Sequence, residues 1–395
     1  MRNYGRFGLL LCYFGLVCCK SAVDPDLYNE YWDQKEPLPE FLERLRQTLY
    51  GPEYNDYPDY RVLPNEAKDT RGKLQVVPSW PSHKTTAVIG QVGGIALDSK
   101  GDIVVFHRAD RRWESGSFGT SDRISPLLGP IQKDVLLWIS NETGEIIKQS
   151  GAGEYYMPHG VTVDKDDNIW ITDVGLHQVI KIPKDPNAAK LVLGEKLVPG
   201  SDVTHFCKPT DVAVASNGEF FVADGYCNGR IMKFSPEGNF IGQWGHVSTG
   251  APLGNFDLHI PHSLALDESR DRICVADREN GRILCYTAGL NGTKEGEFIK
   301  RYEPQRGTIY AIEFDSSGKL FAVNGPGFPV TEGFTLDTMG NIEEFWGPTN
   351  NGFPGQPHDV TVSRDGSNVF VGDIEGSPKL WRFSSTEVPV KTVGK

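Results

Sequence analysis

Two runs, Val161-Thr162-Val163-Asp164 and Ile169-Trp170-Ile171-Thr172, define the unit from which most of this 395-residue chain is built. Both are rich in β-branched and aromatic residues and a short polar turn joins them, so they predict two neighbouring antiparallel strands. Five further pairs of runs have the same form, and their first strands begin near Gly94, Val212, Leu264, Ile312 and Val360. The spacing of roughly 47 to 66 residues is typical of propeller blades.

Six units predict an all-β fold, a six-bladed β-propeller over residues 73–390, with the innermost strand of each blade lining a central channel. Third strands are recognisable in four units, at residues 179–182, 230–234, 282–286 and 379–383. The ring is expected to close through residues 74–77 or through the extreme C-terminus. A sandwich array is the alternative fold, and the regular period argues against it.

Residues 1–22 have the pattern of a secretory signal peptide, with Arg2 and Arg6 before a short apolar stretch and small residues at Ser21 and Ala22. The apolar stretch is too short to span a bilayer comfortably, which disfavours a membrane anchor. Residues 23–72 form an acidic arm rich in Tyr and Pro, with one short helix predicted at 39–49. We therefore expect a protein without a membrane span that enters the secretory pathway and is secreted, including through secretory granules.

The formal net charge of −12 argues against nucleic acid as a partner. Four cysteines follow the signal peptide, and in a secretory chain they predict two disulfides. Three connectivities are open, of which the sequence-local pairs are favoured. Two glycosylation sequons begin at Asn141 and Asn291 and can be used only in that compartment.

Histidine recurs at one position of the repeating unit. The residue two before the first apolar position of each unit is, in chain order, Gly93, His159, Thr210, His262, Tyr310 and His358. Alternate blades of a six-fold ring are related by a three-fold rotation, so the three imidazoles are expected to converge on the channel axis as a metal site. Zinc is the default metal, and cobalt, copper and iron are chemically possible. The alternative is that each histidine is a hydrogen-bonded loop residue.

Other candidate site residues lie beside these positions. Asp359 follows the third histidine and is expected to bind a second, harder cation, to support the ligands, or to cap a turn. A recurrent Asp or Asn leaves the second strand of most units and is interpreted as structural. Arg108 and Arg278, in the opposite first and fourth blades, suggest a substrate with a carboxylate, or else are surface arginines in salt bridges. Tyr226 lies beside Cys227, and a bridge from that cysteine to Cys207 would fix its loop.

Residues about 75–385 resemble the peptidyl-α-hydroxyglycine α-amidating lyase family of peptide C-terminal amidation. The stretches that carry the resemblance are 104–108, 158–160, 205–214, 224–228, 261–266, 274–283, 321–325 and 357–359. The resemblance implies that His159, His262 and His358 bind a catalytic Zn²⁺. It also implies that Asp359 and the backbone carbonyls of Ile95 and Val161 hold a structural Ca²⁺.

The resemblance further implies that Arg108, Tyr226 and Arg278 contact the substrate, with Tyr226 acting as the base beside Arg108. The disulfides it implies are Cys207–Cys227 and Cys274–Cys285. The implied reaction cleaves the N–Cα bond of a peptidyl-α-hydroxyglycine to give an amidated peptide and glyoxylate. A separate hydroxylating monooxygenase would supply such substrates, as in neuropeptide processing, to a monomeric lyase.

Two departures from the family are expected to alter the pocket and the rate. The chain has Gln356 where the family commonly has Met, and Ile374-Glu375 where it commonly has Ala-His. Two other functions compete with the lyase. One is a non-catalytic secreted NHL-type propeller that binds extracellular peptides or proteins. The other is a calcium-dependent lactonase-type hydrolase, which would require carboxylates and amides on the axis in place of histidines.

Overall fold

The structure is a computed structural model that describes residues 72–250, 252–326 and 328–385. The predicted signal peptide, the helix at 39–49, the rest of the acidic arm up to residue 71, and residues 386–390 of the predicted propeller lie outside this part of the chain. Among the residues described, no helix is long and apolar enough to cross a membrane.

Six four-stranded antiparallel sheets make up the fold, each formed by strands that follow one another in sequence except in the last blade. The first three blades are β2–β5 (Val92–Leu97, Ile103–His107, Leu136–Ile139, Ile146–Ser150), β6–β9 (Pro158–Val163, Ile169–Asp173, Gln178–Ile182, Leu191–Leu193) and β10–β13 (Asp211–Val214, Phe220–Asp224, Arg230–Phe234, Phe240–Trp244). The fourth and fifth blades are β16–β19 (Pro261–Asp267, Arg272–Asp277, Arg282–Thr287, Phe298–Tyr302) and β20–β23 (Ile309–Phe314, Leu320–Asn324, Gly333–Leu336, Ile342–Trp346). The sixth contains β24–β26 (Pro357–Val362, Asn368–Asp373, Leu380–Ser385). The predicted all-β, six-bladed propeller is confirmed.

The ring closes through the N-terminal side of the domain. Strand β1 (Leu74–Val76) is the fourth strand of the sixth blade and pairs antiparallel with β26, with Leu74 opposite Ser385. The inner strands contact one another in the order β2, β6, β10, β16, β20, β24 and back to β2. Of the two closures expected from the sequence, the structure therefore has the one through residues 74–77.

The hydrophobic core lies between blades. Six apolar clusters each join two neighbouring blades, and all six interfaces of the ring have one. Between the second and third blades, for example, Trp170 packs on Phe220 with ring centroids 4.5 Å apart. Burial of one such side chain contributes about 1.5–3 kcal/mol. The interfaces together hold the inner strands in a fixed ring around the channel.

The inner strands are irregular where they enter the channel. In five blades the pairing of the inner strand with the second strand shifts register near its first residues, and such bulges redirect side chains. Neighbouring inner strands approach closely here. A side chain on Gly93 would place its Cβ 2.6 Å from the carbonyl oxygens of Pro158 and His159, so only glycine fits.

The recurrent Asp or Asn after the second strand is structural, as predicted. Asp173 accepts hydrogen bonds from the N–H groups of Tyr156 and Met157 at 2.7 and 2.9 Å. Asp224 accepts from Cys207 N–H at 2.8 Å, and Asp277 accepts from His259 N–H at 2.7 Å. These bonds tie the end of the second strand to the segment that leads into the inner strand of the same blade.

Three features were not predicted from the sequence. Helix α1 (His83–Val88) begins at Ser82, whose hydroxyl accepts a hydrogen bond from Thr85 N–H. Strands β14 (His246–Val247) and β15 (Asp257–Leu258) form a small parallel pair. The third feature is the set of outer strands that no run in the sequence marked, namely the third strands β4 and β22 and the fourth strands β5, β9, β19 and β23.

Candidate functional site

The three predicted histidines meet at one end of the channel. The ring centroids of His159, His262 and His358 are 4.6 to 4.8 Å apart, and each residue offers a ligand atom within 4.8 Å of the other two. All three side chains are buried. The structure therefore brings together the residues that the sequence placed on alternate blades.

Each histidine is oriented by the following blade. Nδ1–H of His159 donates to the carbonyl of Thr210 at 2.8 Å, that of His262 to Tyr310 at 2.7 Å, and that of His358 to Gly93 at 2.8 Å. These acceptors occupy, on the odd-numbered blades, the same position in the repeat that the histidines occupy on the even-numbered ones. A carbonyl oxygen can only accept, so the proton lies on Nδ1 and the Nε2 lone pair is free to bind a metal.

Electrostatics keep these imidazoles neutral. Burial lowers the pKa of all three well below the ordinary value of 6.5. The nearby charge of Arg108 adds to this effect on the pKa of His159 and His358. Neutral imidazole is the form that coordinates transition metals. Three neutral nitrogen donors at one point fit a zinc site with positions left for another ligand.

Tyr226 lies at the mouth of the histidine cluster. Its hydroxyl is 3.0 Å from Nε2 of His159 and 3.4 Å from Nε2 of His262. The residue has φ +58°, a left-handed conformation that a bulky side chain adopts only when its surroundings impose it. The adjoining Cys227 is bonded to Cys207, so the loop after β11 is covalently fixed to the segment before β10.

Arg108 is 2% exposed, and it is not one of the surface arginines in salt bridges that the sequence left open. Its Nε donates to the carbonyl of Pro158 at 3.1 Å and one terminal nitrogen to Oε1 of Gln91 at 2.9 Å. The other terminal nitrogen is buried without a partner in the described chain. Burial lowers the pKa of Arg108 to about 10, and it still carries its charge at neutral pH.

Arg278 lies on the other side of Tyr226. A terminal nitrogen is 3.4 Å from the Tyr226 hydroxyl, and its Nε donates to Glu279 at 2.8 Å. The guanidinium carbon lies 5.2 Å from the ring centroid of Tyr226 and 4.9 Å from that of Tyr310. Gln356 donates its amide N–H to the Tyr310 hydroxyl at 2.8 Å. The two predicted arginines therefore lie on the same site as the tyrosine and the histidines.

Several site residues were missed by sequence reasoning. Trp113, in the loop between β3 and β4, packs on Tyr226 with centroids 4.8 Å apart, and the Arg108 guanidinium lies 5.2 Å from its ring. Gln91 joins Arg108 to Glu375, to which it donates at 3.2 Å. The two departures from the family thus take part in the site, since Gln356 contacts Tyr310 and Glu375 contacts Gln91. No periodic signal marks Trp113, which lies in a loop, whereas Gln91 lies two residues before Gly93, the position in the repeat that Gln356 occupies before His358.

Acidic side chains face the channel beyond the histidines. Asp359 accepts hydrogen bonds from the N–H groups of Ile95 at 2.8 Å and Val360 at 2.9 Å. Burial raises the pKa of Asp359 well above its ordinary value, and the nearby Asp211 and Glu313 raise it further. Val161 lies on β6, beside the strand that carries Ile95. A carboxylate among other carboxylates is a plausible place for a hard cation, and calcium binding here stays a prediction.

The disulfides are the local pairs that the sequence favoured, Cys207–Cys227 and Cys274–Cys285. The second joins opposite residues of β17 and β18. Of the two sequons, Asn291 is exposed in a loop, whereas the half-buried Asn141 donates its amide to the carbonyl of Gly101 at 2.9 Å. Glycosylation at both stays a prediction.

Comparison with known proteins agrees with the fold. The NHL repeat family matches residues 155–182, 206–234 and 258–286, which lie in the second, third and fourth blades. A solved gluconolactonase from Xanthomonas campestris superposes with a TM-score of 0.51 at 16% identity, over 80% of this chain and 98% of that one. At this identity the likeness concerns the fold alone.

Curated relatives are far more similar in sequence. Peptidyl-glycine alpha-amidating monooxygenase B of Xenopus laevis is 41% identical over 326 residues, which are 80% of this chain and 36% of that protein. The chain thus spans about a third of that relative's length. Peptidyl-alpha-hydroxyglycine alpha-amidating lyase 2 of Drosophila melanogaster is 39% identical over 319 residues, 78% of this chain and 75% of that protein. The chain belongs to the peptidyl-α-hydroxyglycine α-amidating lyase family.

Proposed function

We propose that this chain cleaves the N–Cα bond of peptides that end in α-hydroxyglycine, releasing a C-terminally amidated peptide and glyoxylate. The observation that carries the proposal is the meeting of three neutral imidazoles, one phenol and two guanidinium groups, one buried and one partly buried, at one end of the channel. The set offers a metal centre, a proton acceptor and carboxylate-binding groups, which are the parts that this reaction needs. The likeness to relatives that are named lyases supports the same reaction.

His159, His262 and His358 would hold Zn²⁺ through Nε2, and Asp359 with the carbonyls of Ile95 and Val161 would hold Ca²⁺. Zinc at a three-imidazole site would lower the pKa of a hydroxyl that reaches it. The three histidines are already neutral and oriented by backbone carbonyls, so the donor set requires no change of protonation to receive the metal.

Tyr226 is the proposed base. Its hydroxyl lies 3.0 Å from Nε2 of His159, close to where a substrate hydroxyl would have to lie to reach the metal. In its phenolate form, the Tyr226 oxygen takes the proton of the α-hydroxyl, the carbon–oxygen bond becomes a carbonyl and the bond from that carbon to the amide nitrogen breaks. The phenol so formed returns the proton to the departing nitrogen, which leaves as the peptide amide, so atoms and charge balance without an oxidant or a reductant.

Arg108 and Arg278 are the proposed carboxylate-binding residues. One terminal nitrogen of Arg108 is a buried donor without a partner among the described residues, and a carboxylate oxygen would satisfy it. Arg278 presents a terminal nitrogen beside the Tyr226 hydroxyl. Two guanidinium groups near this side chain would balance the negative charge of the phenolate that accepts the substrate proton.

The cellular setting follows from the same proposal. A separate monooxygenase would supply the hydroxylated peptides, including neuropeptide precursors, and the lyase would act on them as a monomer in the secretory pathway. The two disulfides suit an oxidising compartment.

The test is release of glyoxylate from a short α-hydroxyglycine-terminated peptide, measured together with the zinc content of the purified full chain. Wild type is expected to contain about one zinc and to release glyoxylate, and His159→Ala is expected to lose both. His83→Ala, which alters an exposed histidine at the start of α1, is the matched control.

Two results would contradict the proposal. Zinc-replete wild type that releases no glyoxylate would exclude the lyase and leave the peptide-binding propeller. Full activity in a zinc-free His159→Ala variant would exclude the assigned centre. Tyr226→Phe distinguishes the base from the metal site, because it should lower kcat by about 10²- to 10⁴-fold while zinc content is unchanged.

A further inference from the structure

Tyr310 joins the two halves of the site and has no role in the mechanism so far. It lies near the start of β20, the inner strand of the fifth blade, and is 7% exposed. Its backbone carbonyl accepts the Nδ1–H bond of His262 at 2.7 Å. Its ring lies 4.9 Å from the guanidinium carbon of Arg278. One residue therefore contacts a proposed metal ligand with its backbone and a proposed carboxylate-binding residue with its side chain.

The Arg278 guanidinium is held on several sides. Two of its nitrogens, Nε and one terminal nitrogen, bind the same Glu279 oxygen at 2.8 Å. The rings of Tyr226 and Tyr310 lie against its faces at 5.2 and 4.9 Å. The remaining terminal nitrogen is the one near the Tyr226 hydroxyl. Since Nε and one terminal nitrogen bind Glu279, the terminal nitrogen near the Tyr226 hydroxyl is the one that can present an N–H group to a ligand.

The Tyr310 ring is itself held by Gln356. The Gln356 amide donates to the Tyr310 hydroxyl at 2.8 Å. The backbone N–H of Gln356 donates to the structural Asp373 at 3.1 Å, which fixes the loop before β24. A methionine, the family's common residue here, could not make the first of these bonds. The pair is therefore a particular feature of this chain's pocket.

We propose that Tyr310, held by Gln356, is a positioning residue that fixes the guanidinium of Arg278 for binding the carboxylate of the substrate. The inference deepens the proposed function and rests on the role given there to Arg278. A guanidinium oriented before binding loses less side-chain freedom when the ligand arrives. A cation over an aromatic face changes affinity by about 2- to 30-fold when the pair is shielded from water.

The experiment measures binding by calorimetry with the zinc-replete full chain and two unreactive probes. One is a short peptide ending in unhydroxylated glycine with a free carboxylate, and the other is the same peptide as its C-terminal amide. Tyr310→Leu is expected to weaken binding of the acid about 2- to 30-fold and to leave binding of the amide unchanged. Tyr310→Phe, which keeps the aromatic face, should restore most of the acid affinity.

Two controls separate positioning from packing. Tyr302→Leu removes another buried tyrosine, 6% exposed and 4.6 Å from the Lys300 ammonium, away from the site, and should alter neither probe. In an Arg278→Ala background, Tyr310→Leu should have no further effect on the acid, because its partner is gone. With the reactive substrate, Tyr310→Leu should raise KM by the same factor as the acid Kd and change kcat less than twofold.

Several outcomes would overturn the inference, and one would overturn only the proposed lyase activity. Equal weakening of both probes, or an undiminished affinity for the acid, would show that Tyr310 does not act through Arg278. A full additional loss in the Arg278→Ala background would show the same. Wild type that prefers the acid probe yet releases no glyoxylate would refute the proposed lyase alone. Wild type with no preference between the probes would refute the positioning role.

Discussion

Arg108 and Arg282 offer a direct comparison, because each is 2% exposed and only one has a carboxylate partner. Arg282 binds Asp277 at 2.7 Å and donates to the carbonyl of Asp257 at 2.6 Å. Arg108 has neutral hydrogen-bond partners only, and each arginine keeps one buried terminal nitrogen without a partner among the described residues. We predict opposite effects on stability when each arginine is replaced by methionine.

The magnitudes follow from burial and pairing. The fall in the pKa of Arg108 from 12.5 to about 10 corresponds to about 3 kcal/mol, at about 1.4 kcal/mol for each pH unit. Since the pKa of this base is lower in the folded state, the cost is fully present below pH 10 and disappears as the pH rises toward 12.5. Replacement of Arg108 also removes its two hydrogen bonds, each worth about 1 kcal/mol, and this loss offsets part of the gain from removing the buried charge. Arg108→Met is therefore expected to leave stability unchanged or raise it by about 1 kcal/mol.

Arg282→Met leaves Asp277 buried without its cation, which typically costs about 3–5 kcal/mol. The assay is chemical unfolding of the full zinc-replete chain at pH 7, with glyoxylate release measured in parallel. Arg108→Met should unfold near the wild-type midpoint and release little or no glyoxylate. Equal losses of stability in the two variants would refute the reasoning, because Arg108 would then stabilise the fold as much as an arginine with a carboxylate partner.

Three further predictions concern the buried Glu313, the Cys207–Cys227 disulfide and Glu375. Burial, and to a smaller extent the nearby Asp211, raises the pKa of Glu313 to about 8, so calcium-free wild type should lose stability as the pH rises from about 4.5 to 8. Burial also raises the pKa of Asp211, to about 7, and that of Asp359, so Glu313→Gln should reduce this slope in unfolding experiments without abolishing it; an unchanged slope would exclude Glu313 as a contributor. Replacing Cys207 and Cys227 together by serine opens a bridge between residues 20 apart and should cost about 3 kcal/mol and lower kcat; an unchanged kcat would show that the bridge does not position the neighbouring tyrosine. Glu375→Ala should raise KM about 2- to 3-fold with less than 1 kcal/mol of destabilisation, because the glutamate is half-exposed, accepts one hydrogen bond from Gln91 and pairs with an exposed Arg112. A lowered kcat at constant KM would contradict this role.

The six blades could be predicted from the sequence because each blade buries its strands against two neighbouring blades. This burial imposes the same alternation of apolar and polar residues six times. The alternating pattern did not identify strands that follow long or irregular loops. Strand β4 follows the long loop after Arg108, and β22 follows the Gly- and Pro-rich segment after Asn324, so neither third strand stood out. Helix α1 is too short for its period to be recognised.

Symmetry likewise made the histidine cluster predictable, since equivalent positions on three alternate blades of a six-bladed ring converge on the channel axis. Their hydrogen-bond acceptors were not predictable, because those are backbone carbonyls, which any residue supplies. Tyr310 occupied a visible position in the repeat, but its role depends on Arg278, whose side chain reaches it from the preceding blade. Trp113 belongs to no repeated position at all. Function that is built from unlike blades leaves no periodic trace.

The hydrogen bonds that orient the histidines have a consequence for biosynthesis. His159 and His262 are oriented by carbonyls 51 and 48 residues later in the chain, whereas His358 is oriented by Gly93, 265 residues earlier. The imidazole of His358 can therefore be oriented only after the sixth blade has been synthesised and has packed against the first. The pairing of β1 with β26 in the sixth blade closes the ring at the same place. A growing or truncated chain carries up to two oriented ligands and no complete centre. Completion of the ring and completion of the proposed metal site are therefore a single event.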